Sequence, residues 1–203
     1  MGFFDMFRRG APIAAREPLM DFLDQQSAFL AQKGVYEYSR ARAGPHANLV
    51  FRDKKFLTAL GKARWQAFPL ALAMVGEAVE GQLRPAAGER SGALLQGMIA
   101  AVLDTLDRYP VPAEMTAQDW DAARHALEHD LNLLGLSPVK RAMDIPARFI
   151  DRYVAVIPIH EKLRDKDTPT IHNYLKTNLC NIHEAFLRRA DSAALVGALS
   201  GPP

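Results

Sequence analysis

Three histidines that each follow an isoleucine are the side chains in this chain best suited to acid–base chemistry: His160, His172 and His183. An imidazole changes its charge near neutral pH and can also ligate a metal ion. On one helix, His172 and His183 would lie about three turns and roughly 16 Å apart, which is too far to hold one ion. We expect these two at the edge of an apolar stripe, with half-buried rings.

His160 differs because its helical phase places it in the middle of the apolar face of its helix. Pro158 removes a backbone donor, so the helix should bend or restart there. An antiparallel pairing of helices 145–163 and 169–190 would bring His172 back towards His160. The pattern predicts a buried imidazole with a hydrogen-bond partner, either as a core histidine or as part of a ligand pocket.

The pair His125 and His129 has the spacing of two metal ligands on adjacent turns of a helix. Their phase puts them on the polar side of that helix. The stretch HALEH also lacks the glutamate directly after the first histidine that a zinc-protease motif contains. We therefore predict solvated side chains here, no metal site and no cofactor. A further hypothesis is a metal or haem site formed by His160 with His172.

Glu77 is the carboxylate most expected to be buried, because it lies in the segment 69–83, which is apolar on nearly every side. A buried carboxylate needs a basic or protonated neighbour, since burial alone is costly. Four residues could supply that neighbour: Arg40, Arg42, Arg64 or His160. The corresponding candidate ligand pocket consists of Glu77, Tyr153, His160 and His172.

Two tyrosines are each followed four positions later by an arginine, Tyr36 by Arg40 and Tyr38 by Arg42. If the segment is helical, each pair lies on one face. Such a surface could bind an anion or the carboxylate of a partner through charge-assisted hydrogen bonds. An ordinary solvated helix face has the same pattern.

The segment 1–16 is predicted to be amphipathic or flexible and to precede a single all-helical domain, residues 17–203. Its aromatic and basic side chains could enter a bilayer interface and meet anionic headgroups. These candidate membrane contacts are Phe3, Phe4, Phe7, Arg8 and Arg9. The alternative is a frayed terminus, or one that packs on its own domain.

Apolar residues recur at helical spacing through nearly the whole chain, and proline or glycine separates the segments. We predict an all-α domain, a single bundle of six or seven helices around the central apolar helix 69–83. Pro69 either separates that helix from a preceding one or kinks a longer helix. The predicted N-caps are Thr116, Asp144 and Thr168, the last followed by Pro169 at the start of the final long helix.

Composition narrows the class of protein. With 49% apolar and 24% charged residues, the chain is globular rather than disordered. A single cysteine, Cys180, cannot form an internal disulfide and favours a reducing, cytoplasmic compartment. No apolar run approaches the roughly 20 residues of a membrane span. The net charge of +2 does not indicate nucleic-acid binding, although residues 1–66 hold 11 Lys and Arg against 6 Asp and Glu.

The sequence contains no phosphate-binding loop, dinucleotide fingerprint, nucleophile elbow or paired Glu-x-x-His. The leading hypothesis is therefore a non-catalytic helical binding or adaptor protein. It would have a protein partner, and it would attach peripherally to the anionic inner surface of a membrane. The alternative is a small-ligand-binding protein or enzyme with a pocket around His160 and Glu77.

Overall fold

The structure is a computed structural model that describes residues 11–201. This part of the chain is all-α, as predicted, and contains no strand beyond an isolated bridge between Ile13 and Ala190. The helices are α1 (Arg16–Ala43), α2 (Ala47–Val50), α3 (Lys54–Ala87), α4 (Ser91–Asp107), α5 (Ala117–Asn132), α6 (Ile150–Val156), α7 (Glu161–Leu187) and α8 (Ser192–Ser200). Since α2 is a single turn, seven longer helices form the bundle, in agreement with the expected six or seven.

The predicted central helix is the middle of α3, which packs against each of the six other long helices. Asp53 caps its start by accepting a hydrogen bond from the backbone N–H of Phe56 at 2.8 Å. Residues 67–80 are almost all buried, so this stretch has apolar neighbours on every side. Pro69 lies inside α3, and packing on both faces outweighs the one backbone hydrogen bond that a proline removes.

The residues just before α1 also pack on the bundle. Ile13 is fully buried. Its N–H donates to the carbonyl of Arg189 at 2.9 Å, and its own carbonyl accepts from the N–H of Asp191 at 3.0 Å. Residues 11–15 are therefore attached to the end of α7 and the start of α8. None of the described helices combines the length and apolar character required to cross a bilayer.

Two predicted N-caps are wrong and one is confirmed. The hydroxyl of Thr116 accepts from the N–H of Asp119 at 3.0 Å and caps α5, as expected. Asp144 lies instead within a 3₁₀ segment (Ala142–Arg148) and pairs with Arg141 at 2.7 Å. Thr168 lies inside α7, where its hydroxyl donates to the carbonyl of Arg164 at 2.8 Å.

The helix α7 begins eight residues before Pro169 and continues through it. A proline in the interior costs one hydrogen bond, but the side chains beyond it remain in phase with those before it. Asp167, before Pro169, and Ile171, after it, are both buried, so the helix packs on the bundle on each side of the proline. Tertiary packing thus overrides the local signal for a helix start.

Candidate functional site

Glu77 is 6% exposed, as the sequence predicted, but its partners are not the expected ones. Its carboxylate accepts from Lys140 Nζ at 2.8 Å and from Arg148 Nη2 at 3.0 Å. Both cations belong to the connection between α5 and α6. Arg40, Arg42, Arg64 and His160 make no ion pair with Glu77. The carboxylate therefore holds a long, mostly non-α segment against the central helix.

A second buried carboxylate, Glu80, also helps to hold this connection against α3, one turn further along the helix. It is 2% exposed and pairs bidentately with Arg84, with both N···O distances at 2.7 Å. Arg84 also donates to the carbonyls of Leu134 at 3.0 Å and Ser137 at 2.8 Å. These bonds satisfy backbone acceptors where the chain leaves α5. Sequence reasoning missed Glu80, although its spacing of four from Arg84 was a usable signal.

The predicted pocket around His160 and Glu77 is not formed. His160 is exposed, because α6 ends before Pro158 and His160 becomes the N-cap of α7. Its Nδ1 accepts from the N–H of Lys162 at 3.2 Å. The expected burial of His160 is therefore wrong: the break at Pro158 rotates it out of the apolar face that a continuous helix would give it.

His172 lies on α7 itself, about 18 Å along the axis from the His160 cap, so no hairpin brings the two together. Its ring is half-buried, and Nε2 has no hydrogen-bond partner among the described residues. Tyr153 is fully buried on α6, and its hydroxyl donates to the carbonyl of Leu30 at 3.0 Å. The described residues include no group of three His, Cys, Asp or Glu placed to hold a metal ion.

The tyrosine and arginine pairs near the end of α1 divide into two environments. Arg42 Nε donates to Asp167 Oδ2 at 2.9 Å and thereby ties α1 to α7. Burial, followed by the neighbouring Asp167 carboxylate, raises the pKa of Tyr38 well above its usual value. Tyr38 and Arg42 are therefore structural. Tyr36 and Arg40, in contrast, remain at the surface.

An aromatic row fixes the turn that follows α1. The ring of Tyr36 contacts that of Phe51 edge-on at 5.0 Å between centroids, and Phe51 contacts Phe56 at 5.3 Å. These contacts connect the end of α1, the short helix α2 and the first turn of α3. Edge-to-face pairs of this kind add stability beyond the area that they bury. The turn is thus a rigid platform at one end of the bundle.

Apolar and basic side chains project from this platform into solvent. Leu49 is 73% exposed, Leu57 is 42% exposed and Tyr36 is 37% exposed. We define the basic–apolar surface by these residues together with the cations around them: Tyr36, Arg40, Leu49, Arg52, Lys54, Lys55 and Leu57. The surface thus combines exposed apolar side chains with basic ones.

The cations of this surface are not neutralised from within. Among residues 11–201, Arg40, Arg52, Lys54 and Lys55 form no ion pair, whereas Arg42 and Lys62 are paired with Asp167 and Asp119. The Asp53 carboxylate is occupied in capping α3. A shallow open depression of about 530 Å³ lies beside the surface and is lined in part by Glu37, Arg40 and Asn48, so that one carboxylate lies near Arg40 without forming an ion pair with it. The sequence indicated Tyr36 and Arg40 but missed Leu49 and Leu57, whose exposure depends on how the turn folds.

The candidate membrane contacts Phe3, Phe4, Phe7, Arg8 and Arg9 lie outside the described residues. The described chain begins beside the α7–α8 junction, through Ile13. No family model matches the chain, and neither a curated protein nor a solved structure gives a significant match. The physical properties of its surfaces and cavities are thus the basis for any functional conclusion.

Proposed function

We propose that this chain is a non-catalytic binding protein that attaches reversibly to an anionic membrane surface through the basic–apolar surface. The observation that carries the proposal is that exposed Leu49 is followed within six positions by three cations, Arg52, Lys54 and Lys55, that form no ion pair in residues 11–201. Leucine and tyrosine side chains gain free energy on leaving water at the level of the lipid headgroups, while lysine and arginine meet lipid phosphates there.

The exposure of Leu49 supports a lipid partner over a protein partner. Leu49 projects outward with nearly three quarters of its area in water. A bilayer interface accepts a convex apolar group anywhere on its plane, whereas a protein would need a matching pocket. The rigid aromatic row keeps the leucines and cations together, so that little conformational freedom is lost on attachment.

One weak contact gives only marginal membrane binding, and stable attachment usually combines two. The phenylalanines and arginines of residues 1–10 are the proposed second contact. Because Ile13 lies beside the start of α1 and Arg40 lies about 36 Å further along that helix, α1 would lie along the membrane when both contacts form. The protein partner of an adaptor would then bind elsewhere on the bundle, at the inner face of the membrane.

The test is sedimentation of the full chain with phosphatidylcholine vesicles that either contain or lack phosphatidylserine. We expect binding only with phosphatidylserine. The double substitution K54Q/K55Q should weaken it by about 2 kcal/mol, roughly thirtyfold, because each basic residue near such a surface contributes about 1 kcal/mol. Leu49→Ser should weaken it about tenfold through the lost apolar burial.

Matched controls exist on other faces. K162Q/K166Q removes two exposed lysines of α7, and Leu136→Ser removes a leucine that is 84% exposed. Both variants should bind vesicles as the unaltered chain does. Equal binding to vesicles without phosphatidylserine would overturn the proposal, as would controls that lose as much affinity as the surface variants. If Leu49→Ser has no effect while K54Q/K55Q abolishes binding to both vesicles and soluble polyglutamate, the surface recognises an acidic protein instead.

A chain that lacks residues 1–10 separates the two contacts and retains Ile13 with its hydrogen bonds. We expect it to bind the anionic vesicles more weakly but still in a way that depends on Lys54 and Lys55. Loss of binding with no remaining dependence on those lysines would assign the membrane contact to residues 1–10 alone.

A further inference from the structure

A small aromatic cavity lies between α1, the middle of α3 and the end of α4, away from the basic–apolar surface. Its volume is about 220 Å³. The lining residues are Ala28, Ala31, Gln32, Arg64, Trp65, Phe68 and Tyr109. The two alanines leave the space open on the α1 side, since a methyl group reaches only a short way from the backbone. Aromatic rings form the opposite walls.

The three rings of the cavity hold one another in fixed orientations. Trp65 contacts Tyr109 at 5.3 Å and Phe68 at 6.2 Å, while Phe68 contacts Tyr109 at 5.4 Å, all edge to face. Trp120 supports Trp65 from behind at 5.9 Å. The walls are thus flat, apolar and set in place before any ligand enters. Such preformed cavities with few polar groups are the usual sites of small ligands.

One cation belongs to the cavity and has no partner among the described residues. The guanidinium of Arg64 lies over the Trp65 ring at 4.9 Å from its centroid and forms no ion pair within residues 11–201. Arg64 is exposed, so the N–H groups of its guanidinium can donate to a planar carboxylate. Gln32 supplies an amide on the α1 side of the opening.

One carboxylate, Asp24, lies next to the cavity and is hydrogen-bonded to one of its walls. The hydroxyl of Tyr109 donates to Asp24 Oδ1 at 2.7 Å. Burial, together with that hydrogen bond, raises the pKa of Tyr109 to about 12, so the tyrosine remains neutral. The negative charge of Asp24 also contributes to the raised pKa of Arg108. Arg108 forms its ion pairs with Glu17 and Asp21, so among residues 11–201 both Asp24 and Arg64 lack an ion pair, and Arg64 is the one of the two that lines the cavity.

We infer that this cavity binds a small planar aromatic carboxylate, with its ring between α1 and the wall formed by Trp65, Phe68 and Tyr109, and with its carboxylate on Arg64. A neutral aromatic molecule would contact the aromatic walls but leave the guanidinium of Arg64 without a partner. A small aliphatic acid would meet Arg64 but leave the aromatic walls uncovered. Only a ligand with both parts uses the whole site.

The test uses naphthoate as the probe, with naphthamide and acetate as its neutral and aliphatic counterparts. The chain has two tryptophans, so nuclear magnetic resonance of isotope-labelled protein gives two indole N–H signals, and Trp120→Phe assigns them. We expect naphthoate to shift the Trp65 signal saturably and to bind at least about tenfold more tightly than naphthamide, because hydrogen bonds between two charged groups are the stronger kind. Acetate should leave the signal unchanged.

Two substitutions complete the test. Arg64→Gln should weaken naphthoate at least about tenfold and leave naphthamide unaffected, whereas Lys55→Gln, an exposed cation on the same helix, should change neither. Ala28→Leu should fill the cavity and abolish both. Absence of a saturable shift at millimolar naphthoate would overturn the inference. Equal affinity for naphthoate and naphthamide, or for naphthoate in the unaltered chain and the Arg64→Gln variant, would also overturn it.

Discussion

Lys140 and Glu77 lie 63 positions apart in sequence, and their side chains meet at 2.8 Å between Nζ and Oε1. Glu77 belongs to the most buried stretch of α3, whereas Lys140 belongs to the connection between α5 and α6. The pair fastens a segment that contains no α-helix to the centre of the bundle. Arg148, at the far end of the same connection, forms the second ion pair of the Glu77 carboxylate.

Glu77→Gln should lower the free energy of unfolding by about 3 kcal/mol. Removal of the buried charge leaves Lys140 and Arg148 partly buried without their carboxylate, and breaking a buried pair in this way is costly. Urea denaturation measures the change. Glu89→Gln, at an exposed position after the end of α3, is the matched control and should change stability by less than about 0.5 kcal/mol. A Glu77→Gln variant as stable as the control would contradict the network's structural role.

Gly97→Ala should disturb the docking of α8 on α4. A methyl group at position 97 would come within 2.8 Å of the carbonyl carbon of Leu199, so the backbone of α8 must shift. We expect a loss of about 1–3 kcal/mol. Gly92→Ala, in the same helix, meets nothing within 4 Å and should leave stability unchanged or raise it by up to about 1 kcal/mol. Thermal melting of both variants decides the matter, and melting points that move together would refute the contact.

Gly34 and Tyr153 should show strong coupling in a double-mutant cycle. A methyl group at position 34 would overlap the hydroxyl of Tyr153, so Gly34→Ala alone should cost about 1–3 kcal/mol. Tyr153→Phe alone loses the hydrogen bond to Leu30, worth about 1 kcal/mol. In the double variant the overlap with the hydroxyl is removed, although Tyr174 Cε1 at 2.9 Å must still move, so the combined loss should be smaller than the sum. Additive losses in urea denaturation would mean that the two residues do not share this space.

Stability should fall as the pH rises above about 10. Burial raises the pKa of four tyrosines above the ordinary 10.0, to about 12 for one of them: Tyr38, Tyr109, Tyr153 and Tyr174. The unfolded chain releases these protons near pH 10 while the folded chain retains them. The stabilising contribution is therefore complete below pH 10 and is lost as the pH rises towards 12.

Two optical signals measure this effect in one titration. Far-ultraviolet circular dichroism follows the helices, and near-ultraviolet absorbance follows ionised tyrosine. We expect ionisation of the four buried tyrosines to coincide with loss of helix. Their full ionisation in a chain that keeps its helical signal would disprove the shifts.

Local patterns in the sequence determined the class of fold. The spacing of apolar residues predicted an all-α bundle and its central helix, because helical periodicity is a property of neighbouring residues. The Thr116 cap and the burial of Glu77 followed from the same local information. The sequence also indicated Tyr36 and Arg40, which do lie at the surface.

Tertiary structure alone decided which elements meet. It gave Glu77 its partners Lys140 and Arg148, turned His160 to solvent and carried α7 through Pro169. It also brought Arg64 and Tyr109 to one cavity from helices that are distant in sequence. Each of these outcomes depends on the packing of whole helices against one another, and the free energy of that packing exceeds the small local preferences that a single sequence reveals.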